Sequence, residues 1–385
     1  MSINACGWDY GRWGETLRWG IRQIGVLGTA TRITTEITDM LYQSTPTLAM
    51  VDVSITIGGV DVSAYVESYR VTLRGTGRWS DAQAVLLAGH GATLTTGSAF
   101  VVTITYTTAL GATQSFTRFR GTVASAGTTG EASGTREAVV AMDIAAVLAG
   151  RDRDYTAFGS GSYSTSGLYS ELASNGIGFS GSVYSVQSTG IEVTAYKSTL
   201  DFILGMANIL GPCLCYFDSN NVLRALSQAA SGAASVTITA AAQADHKSSD
   251  GGDSRINQIL VVMEKPDSTT AVTWGEFTGS YVTGGFRVQN LADQAKWGVQ
   301  ASEIRPAFTP QTTYKGFLLG ALTSGNTLLP TYTWKAVLNA MLYPTVVATL
   351  TLPSGSAKTV AIEEVTDSGS PGNHWSSVSA RAVWA

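Results

Sequence analysis

The sequence predicts a mainly β chain in which two antiparallel β-barrel domains flank a small mixed α/β region. Three observations carry this. Apolar residues recur with a period of two in short runs on both sides of the middle, and Gly, Ser and Thr clusters separate the runs. Helix start and stop signals gather between the two sets of runs. Only 14% of residues are charged, against roughly 25% in ordinary soluble domains, while glycine reaches 42 of 385 residues. That bias suits strands and tight turns better than charged helix faces. The length exceeds the roughly 250–300 residues at which a single core stops growing, so more than one domain is expected.

Residues 1–46 read as a Trp/Gly-rich N-terminal arm. Trp8, Trp13 and Trp19, three of nine tryptophans, are threaded among Gly7, Gly11, Gly14 and Gly20. Glycine gives no side chain to bury and loses the most chain entropy on ordering. The arm therefore reads either as an irregular cap on its own domain or as a segment docking its tryptophans into a neighbouring subunit. These three tryptophans are the candidate inter-subunit contacts.

Residues 47–142 form the first expected barrel. Val51, Val53, Ile55 and Ile57 alternate with polar residues before Gly58-Gly59 turns the chain. Strand-like runs follow at Tyr69–Leu73, Ala84–Leu87, Phe100–Thr105, Phe116–Val123 and Arg136–Met142. Residues 143–227 form the mixed region. Asp143 can cap a helix through Leu148, and Ser166 can open another that ends near Asn175-Gly176. Ser198 with Asp201 three residues on makes a capping box for a helix to Leu210. Its stripe is Leu200, Ile203, Leu204, Ala207 and Leu210, and Gly211-Pro212 stops it. Asp218-Ser219-Asn220-Asn221 then turns a hairpin. Residues 228–385 form the second expected barrel, with runs at Val236–Thr239, Ile256–Met263, Val272–Phe277 and Phe286–Gln289. A helix is expected at Trp334–Leu342. Strands follow at Val346–Leu352, Thr359–Glu364 and Val378–Trp384, with Asp367 to Asn373 as a loop.

The chain carries little that chemistry needs. Its three histidines, His90, His246 and His374, sit in turn-like contexts with no spacing for a metal, and read as surface residues. Cys213 and Cys215 fall on one strand face and, with Cys6, make neither a disulfide framework nor a zinc site. Gly176-Ile177-Gly178-Phe179-Ser180-Gly181 matches a dinucleotide-binding spacing, but a helix precedes it where a strand is required, so the match reads as a glycine-rich loop. Asp152 and Asp154 are neutralised by Arg151 and Arg153. Glu363 and Glu364 point to opposite faces of a strand and cannot act together. No catalytic residue, cofactor or metal is expected. A net charge of −4 argues against a grip on nucleic acid. The most apolar stretch, Phe202 to Phe217, is broken by Gly211-Pro212 and too short to cross a bilayer, and residues 1–23 lack a signal-peptide core, so no stable membrane association is expected.

Several short motifs, in this order, resemble the baseplate hub or tail-tip hub proteins of tailed bacteriophages. They are Ile57-Gly58-Gly59-Val60-Asp61-Val62-Ser63, Phe119-Arg120-Gly121-Thr122-Val123 and Ala141-Met142-Asp143-Ile144. Thr199, Asp201, Ile203, Met206 and Ala207 follow on one helix, then Arg255-Ile256-Asn257-Gln258-Ile259-Leu260-Val261, and last Gly372-Asn373-His374-Trp375. The resemblance covers residues 48–385; the arm before it is not part of the family's pattern. It implies a non-enzymatic virion component assembled in the host cytoplasm. In that family two tail-tube-like barrels per chain form a homotrimeric ring of pseudo-sixfold symmetry, joining the tail tube to the tip. The implied partners are further copies of the chain and neighbouring tail proteins, namely a distal tail or tube protein, the tape measure, and tip or fibre proteins. DNA passes only in transit during genome ejection. The alternatives are a distal tail ring protein, which has a single barrel, and a receptor-binding tail adhesin.

Overall fold

The computed structural model describes residues 50–75, 78–107, 113–131, 134–151, 165–182, 198–207, 213–227, 234–249, 257–264, 283–289, 291, 294–295, 298–304 and 330–383. The first run of strands comprises β1 (Met50–Ile57), β2 (Val60–Asp61), β3 (Val66–Arg74), β4 (Asp81–Leu87), β5 (Ala99–Thr107), β6 (Thr113–Glu131) and β7 (Gly134–Met142). The middle holds α1 (Ile144–Ala149), α2 (Thr165–Ser174), β8 (Gly178–Ser182), α3 (Thr199–Ala207), β9 (Cys213–Phe217) and β10 (Val222–Ser227). Then come β11 (Val236–Ile238), β12 (Ala244–Ser249), β13 (Gln258–Glu264), β14 (Thr283–Gln289) and β15 (Ala301–Ile304). The chain finishes with β16 (Thr331–Val337), β17 (Val347–Thr351), β18 (Ala357–Ser370) and β19 (Asn373–Ala382). The protein is mainly β, as the sequence predicts.

Thirteen of these strands form one sheet, in the order β12-β16-β19-β18-β3-β4-β7-β6-β5-β1-β2, with β17 and β11 branching from β18. Its pairings are antiparallel except β11 with β17. Two smaller sheets, β8-β10-β9 and β14-β13-β15, lie outside it. The sheet wraps two hydrophobic cores. Ile55, Ile57, Val71, Leu73, Leu86, Phe100, Val102, Phe119, Val123 and Val139, from β1 and β3–β7, pack into one cluster. Val236, Ile238, Tyr332, Trp334, Leu350, Val360, Ile362, Val365 and Val378, from β11 and β16–β19, pack into the other. Each strand run thus buries its own inward face, as period-two alternation demands. The expectation of separate halves meets a single hydrogen-bonded ladder instead. β3 pairs with β18, and among the described residues the paired path runs open from β2 to β12 rather than closing into barrels.

The local rules behind these elements are visible. Gly58 and Gly59 both take positive φ, 59° and 85°, the geometry a two-residue hairpin turn needs between β1 and β2. Asp143 caps α1, accepting from the Ala145 N–H at 3.0 Å and the Ala146 N–H at 3.4 Å. Ser198 Oγ accepts from the Asp201 N–H at 3.1 Å, capping α3, and donates to Asp201 Oδ2 at 2.8 Å. Leu200, Phe202, Ile203 and Ala207 are its buried side chains, while Leu204 is half-buried. Asp218 Oδ1 accepts from the N–H groups of Asn220 and Val222 and shapes the β9–β10 hairpin, where Asn221 has φ 58°. No helix among the described residues is long and apolar enough to cross a membrane.

Three expectations are corrected. Trp334–Leu342 is no helix: β16 runs through Val337, with Tyr332 and Trp334 buried and Thr333 and Lys335 exposed. Pairing with β19 decides between two apolar spacings that the sequence allows equally. Asp367 is no loop residue, because β18 continues to Ser370 and the turn is made at Pro371-Gly372. The glycine-rich segment 176–181 is not merely a loop, since Gly178–Ser182 is β8, paired in parallel with β10. A Cβ at Gly181 would lie 2.0 Å from the Ala225 carbonyl oxygen, so close strand approach requires that glycine.

Candidate functional site at the junction of the sheet halves

Among the described residues, a buried ion pair and its polar surroundings lie where β3 meets β18. Three cross-strand rows run through the junction. Leu73, Val365 and Val378 make an apolar row, Val71, Asp367 and Ser376 a polar one, and Tyr69, Gly369 and His374 an aromatic one. Directly opposed residues share a face and touch. Ser376 accordingly donates to Asp367 Oδ1 at 2.6 Å. Gly369 leaves the space in which Tyr69 and His374 meet, ring centroids 5.7 Å apart and the Tyr69 hydroxyl 3.1 Å from His374 Nδ1. A Cβ there would lie 2.4 Å from the Asn373 carbonyl oxygen and 2.7 Å from His374 Nδ1.

Arg118 completes the polar row from the other half. The β5–β6 register passes from Thr103 opposite Thr117 to Val102 opposite Phe119, so Arg118 is the extra residue of a bulge. A bulge re-aims a side chain, and Arg118 and Phe119 are consequently both buried, at 4% and 2% exposure. Arg118 Nε donates to Asp367 Oδ2 at 2.5 Å, and Nη1 donates to the Ala340 carbonyl at 3.1 Å. Tyr106 bridges to the same loop, accepting from the Ala340 N–H at 2.7 Å and donating to the Leu338 carbonyl at 3.2 Å. Ile104, Tyr106, Leu338 and Ala340 form a small apolar cluster beside it.

Burial opposes the Arg118 charge, but the Asp367 carboxylate more than offsets it and holds the guanidinium firmly protonated. Burial, reinforced by Asp367, pushes the Tyr69 hydroxyl well above the usual phenol range, and burial likewise raises Tyr106 and Tyr216. Burial lowers His374 below the usual imidazole value. The result is one buried ion pair ringed by neutral phenols. Both oxygens of its carboxylate are engaged, so the cluster holds strands together and offers no reactive group to solvent. The middle region joins at the same place. The Cys215 N–H donates to the Gly75 carbonyl at 3.0 Å, the Gly75 N–H donates to the Glu363 carbonyl at 2.8 Å, and Tyr216 enters the first core beside Tyr343.

The residues singled out from the sequence fall elsewhere. Trp8, Trp13 and Trp19 lie outside the described residues, as do Cys6, Asp152 and Asp154. Cys215 is buried. His90 is no surface residue. It is 8% exposed, its Nδ1 accepts from the Ala92 N–H at 3.1 Å, and its Nε2 lies 2.6 Å from Glu137. With both nitrogens occupied it positions a loop. His246 and His374 are partly buried. Glu363 and Glu364 each hold a different arginine, Arg381 at 2.9 Å and Arg74 at 3.5 Å. Among the described residues, no three of His, Cys, Asp and Glu gather as metal ligands. Sequence reading missed Arg118 and Asp367, because a bulge leaves no mark in the apolar pattern and Asp367 opens a run rich in turn residues.

Three solved structures share this architecture over nearly the whole chain. A tail protein from Neisseria meningitidis MC58 superposes with a TM-score of 0.62 at 9% identity, covering 87% of this chain and 98% of its own. The 43 kDa tail protein of prophage MuSo2 from Shewanella oneidensis gives 0.60 at 11% identity, covering 86% and 98%. Prophage tail protein gp18 from Listeria monocytogenes EGD-e gives 0.54 at 12% identity, covering 86% and 94%. The chain has the fold of phage tail proteins. At such identities the likeness is one of fold, and it agrees with the resemblance read from the ordered motifs. No protein-family model and no curated protein sequence matches the chain.

Proposed function

We propose that this chain is a non-enzymatic structural subunit of a phage tail tip or baseplate, a hub protein that assembles as a homotrimeric ring. The observation that carries the reading is one chain with two β-rich cores on a shared ladder, in a fold that matches tail proteins almost end to end. In this reading residues 47–142 and 228–385 are two barrel-like units joined through residues 143–227. Three copies then present six similar units around one axis. A heterologous contact repeated around an axis closes into a ring, which matches a six-fold tail tube on one side and a three-fold tip on the other. The arm carrying Trp8, Trp13 and Trp19 reaches a neighbouring subunit, because aromatic anchors dominate interface energy. A net charge of −4 suits a channel that lets DNA and the tape measure pass without gripping phosphates. The protein belongs in the virion tail, assembled in the host cytoplasm with distal tail or tube, tape-measure and tip or fibre proteins as neighbours.

Electron microscopy of the purified protein, or of the virion tail, tests this. A closed ring of three copies with six similar units around a channel is expected. Six copies per ring would favour the distal tail alternative, and a solitary rod or monomer would remove the hub reading.

A further inference from the structure

Residues 88–98 join β4 to β5, and their Ala92 and Leu94 pack against the first core. The segment is anchored at its two ends, by Ala88 N–H to the Thr135 carbonyl at 3.3 Å and by Gly97 N–H to the Val123 carbonyl at 2.8 Å. Between those anchors its hold is slight. Among the described residues, residues 89–96 make one hydrogen bond to any strand, from His90 Nε2 to Glu137 at 2.6 Å. The bonds of Ala92 to His90 and of Ser98 to Thr95 stay within the loop. Gly89, Gly91 and Gly97 take φ of 90°, 73° and 89°, backbone that glycine enters and leaves without steric cost. The loop thus has a hinge beside each anchor.

Glu137 explains why His90 is buried there. It follows the inward alternation of Val139 and Ala141 on β7 and lies opposite Leu86, which is fully buried. A carboxylate at the rim of an apolar core needs a partner, and His90 supplies it. The ring of Tyr65 crosses that of His90 at 76°, centroids 6.3 Å apart. The nearby charges, Glu67 and Arg136, pair with each other at 2.6 and 2.8 Å. Leu86 of β4 and Thr128 of β6, both opposite Glu137, bring no charge, and the loop holds no titratable residue besides His90.

We propose that residues 89–96 form an acid-released lid over this end of the first core, latched by His90 and Glu137. Ala92 N–H donates to His90 Nδ1 at 3.1 Å, so that nitrogen carries no proton in the closed lid and Nε2 donates to Glu137. A proton added at Nδ1 removes the acceptor of the Ala92 N–H and sets two donors face to face. The imidazolium–carboxylate pair then holds the lid alone. A proton added to Glu137 sets an imidazolium against a neutral acid, and the one tie to the strands loses its charge. Opening is therefore the end state in acid, and it draws Ala92 and Leu94 away from the core.

Carbene footprinting of the full-length protein, which needs no proton transfer to label, tests this. Leu94 labelling should rise at least about fivefold from about pH 7 to about pH 3.5, while Val102 and Ile104 of β5 stay protected. Glu137→Gln keeps an oxygen for the Nε2–H without the charge, so its lid should open with the imidazole proton alone, at a higher pH. His90→Ala should label Leu94 strongly at every pH. The nitrogen resonances of His90 should show Nδ1 unprotonated at neutral pH. A flat Leu94 profile overturns the proposal, as does an opening pH unchanged in Glu137→Gln or a proton on Nδ1 at neutral pH. Labelling of Val102 in step with Leu94 also overturns it, since the core and not a lid would then be opening.

Discussion

β6 passes through two opposite environments. Near its start Arg118 is buried, ion-paired and fixed by a bulge, at the place where the two cores meet. A few residues further on, Ser125, Ala126, Gly127 and Thr128 are exposed and uncharged. In most soluble proteins charges sit outside; Arg118 is the exception on this strand, whereas Arg120 is exposed. The difference separates two jobs. The junction makes the halves one body, since a desolvated ion pair demands fixed geometry around it. At the far end of the β6–β7 hairpin, β6 pairs with β7 alone and has no such tie to the second core.

Breaking the junction should produce the largest effect. Asp367→Ala leaves the Arg118 guanidinium buried without its partner and should cost about 3–5 kcal/mol in denaturant unfolding. Replacing both, Arg118→Met with Asp367→Leu, should recover most of that, because two apolar groups of similar size remove the desolvation cost together. A double variant as unstable as the single one would mean that the bulge, rather than the charge pair, holds the halves.

Asp143 gives a pH-dependent test at the edge of the first core. Burial lifts its carboxyl from the ordinary 3.8 to about 6, against the opposing hydrogen bonds from Ser80, Ala146 and Ala145. The folded state therefore holds its proton more tightly than the unfolded chain. Its contribution is fully present below about 4, falls as pH rises through about 6 and stays low above. Asp143→Asn keeps an oxygen to cap α1 and removes this slope. Relative to the original protein, the variant should gain on the order of 2–3 kcal/mol between pH 4 and pH 7. Parallel pH profiles for the two proteins would show that Asp143 stays ionised in the fold.

Smaller effects sharpen the contrast. Gly369→Ala places a methyl against the Asn373 carbonyl and between Tyr69 and His374, and should cost about 1–3 kcal/mol. Thr128→Lys on the open edge should change the unfolding free energy by less than about 0.5 kcal/mol. A large loss at Thr128 would mean that the hairpin belongs to the folded core.

The sequence made the strand starts of the first half legible, because there each alternating run has one buried face and glycine-marked ends. The helix caps at Asp143 and Ser198 were equally clear, since capping is local chemistry. The second half was less clear. Trp334, Leu338 and Leu342 have helical spacing, while Tyr332 and Trp334 also alternate with Thr333 and Lys335, and only the distant pairing with β19 resolves the two. The junction was hidden for the same reason. Arg118 and Asp367 are 249 positions apart in sequence, and neither belongs to a motif that short-range patterning can detect.

Native-state hydrogen exchange of the full-length protein tests most directly whether the two halves act as one body. Core amides of Ala84 and Val102 in the first half, and of Ile362 and Val378 in the second, should open with the same free energy. All four should weaken together in Asp367→Ala. Two opening free energies separated by several kcal/mol, with only one half responding to that substitution, would contradict a welded junction.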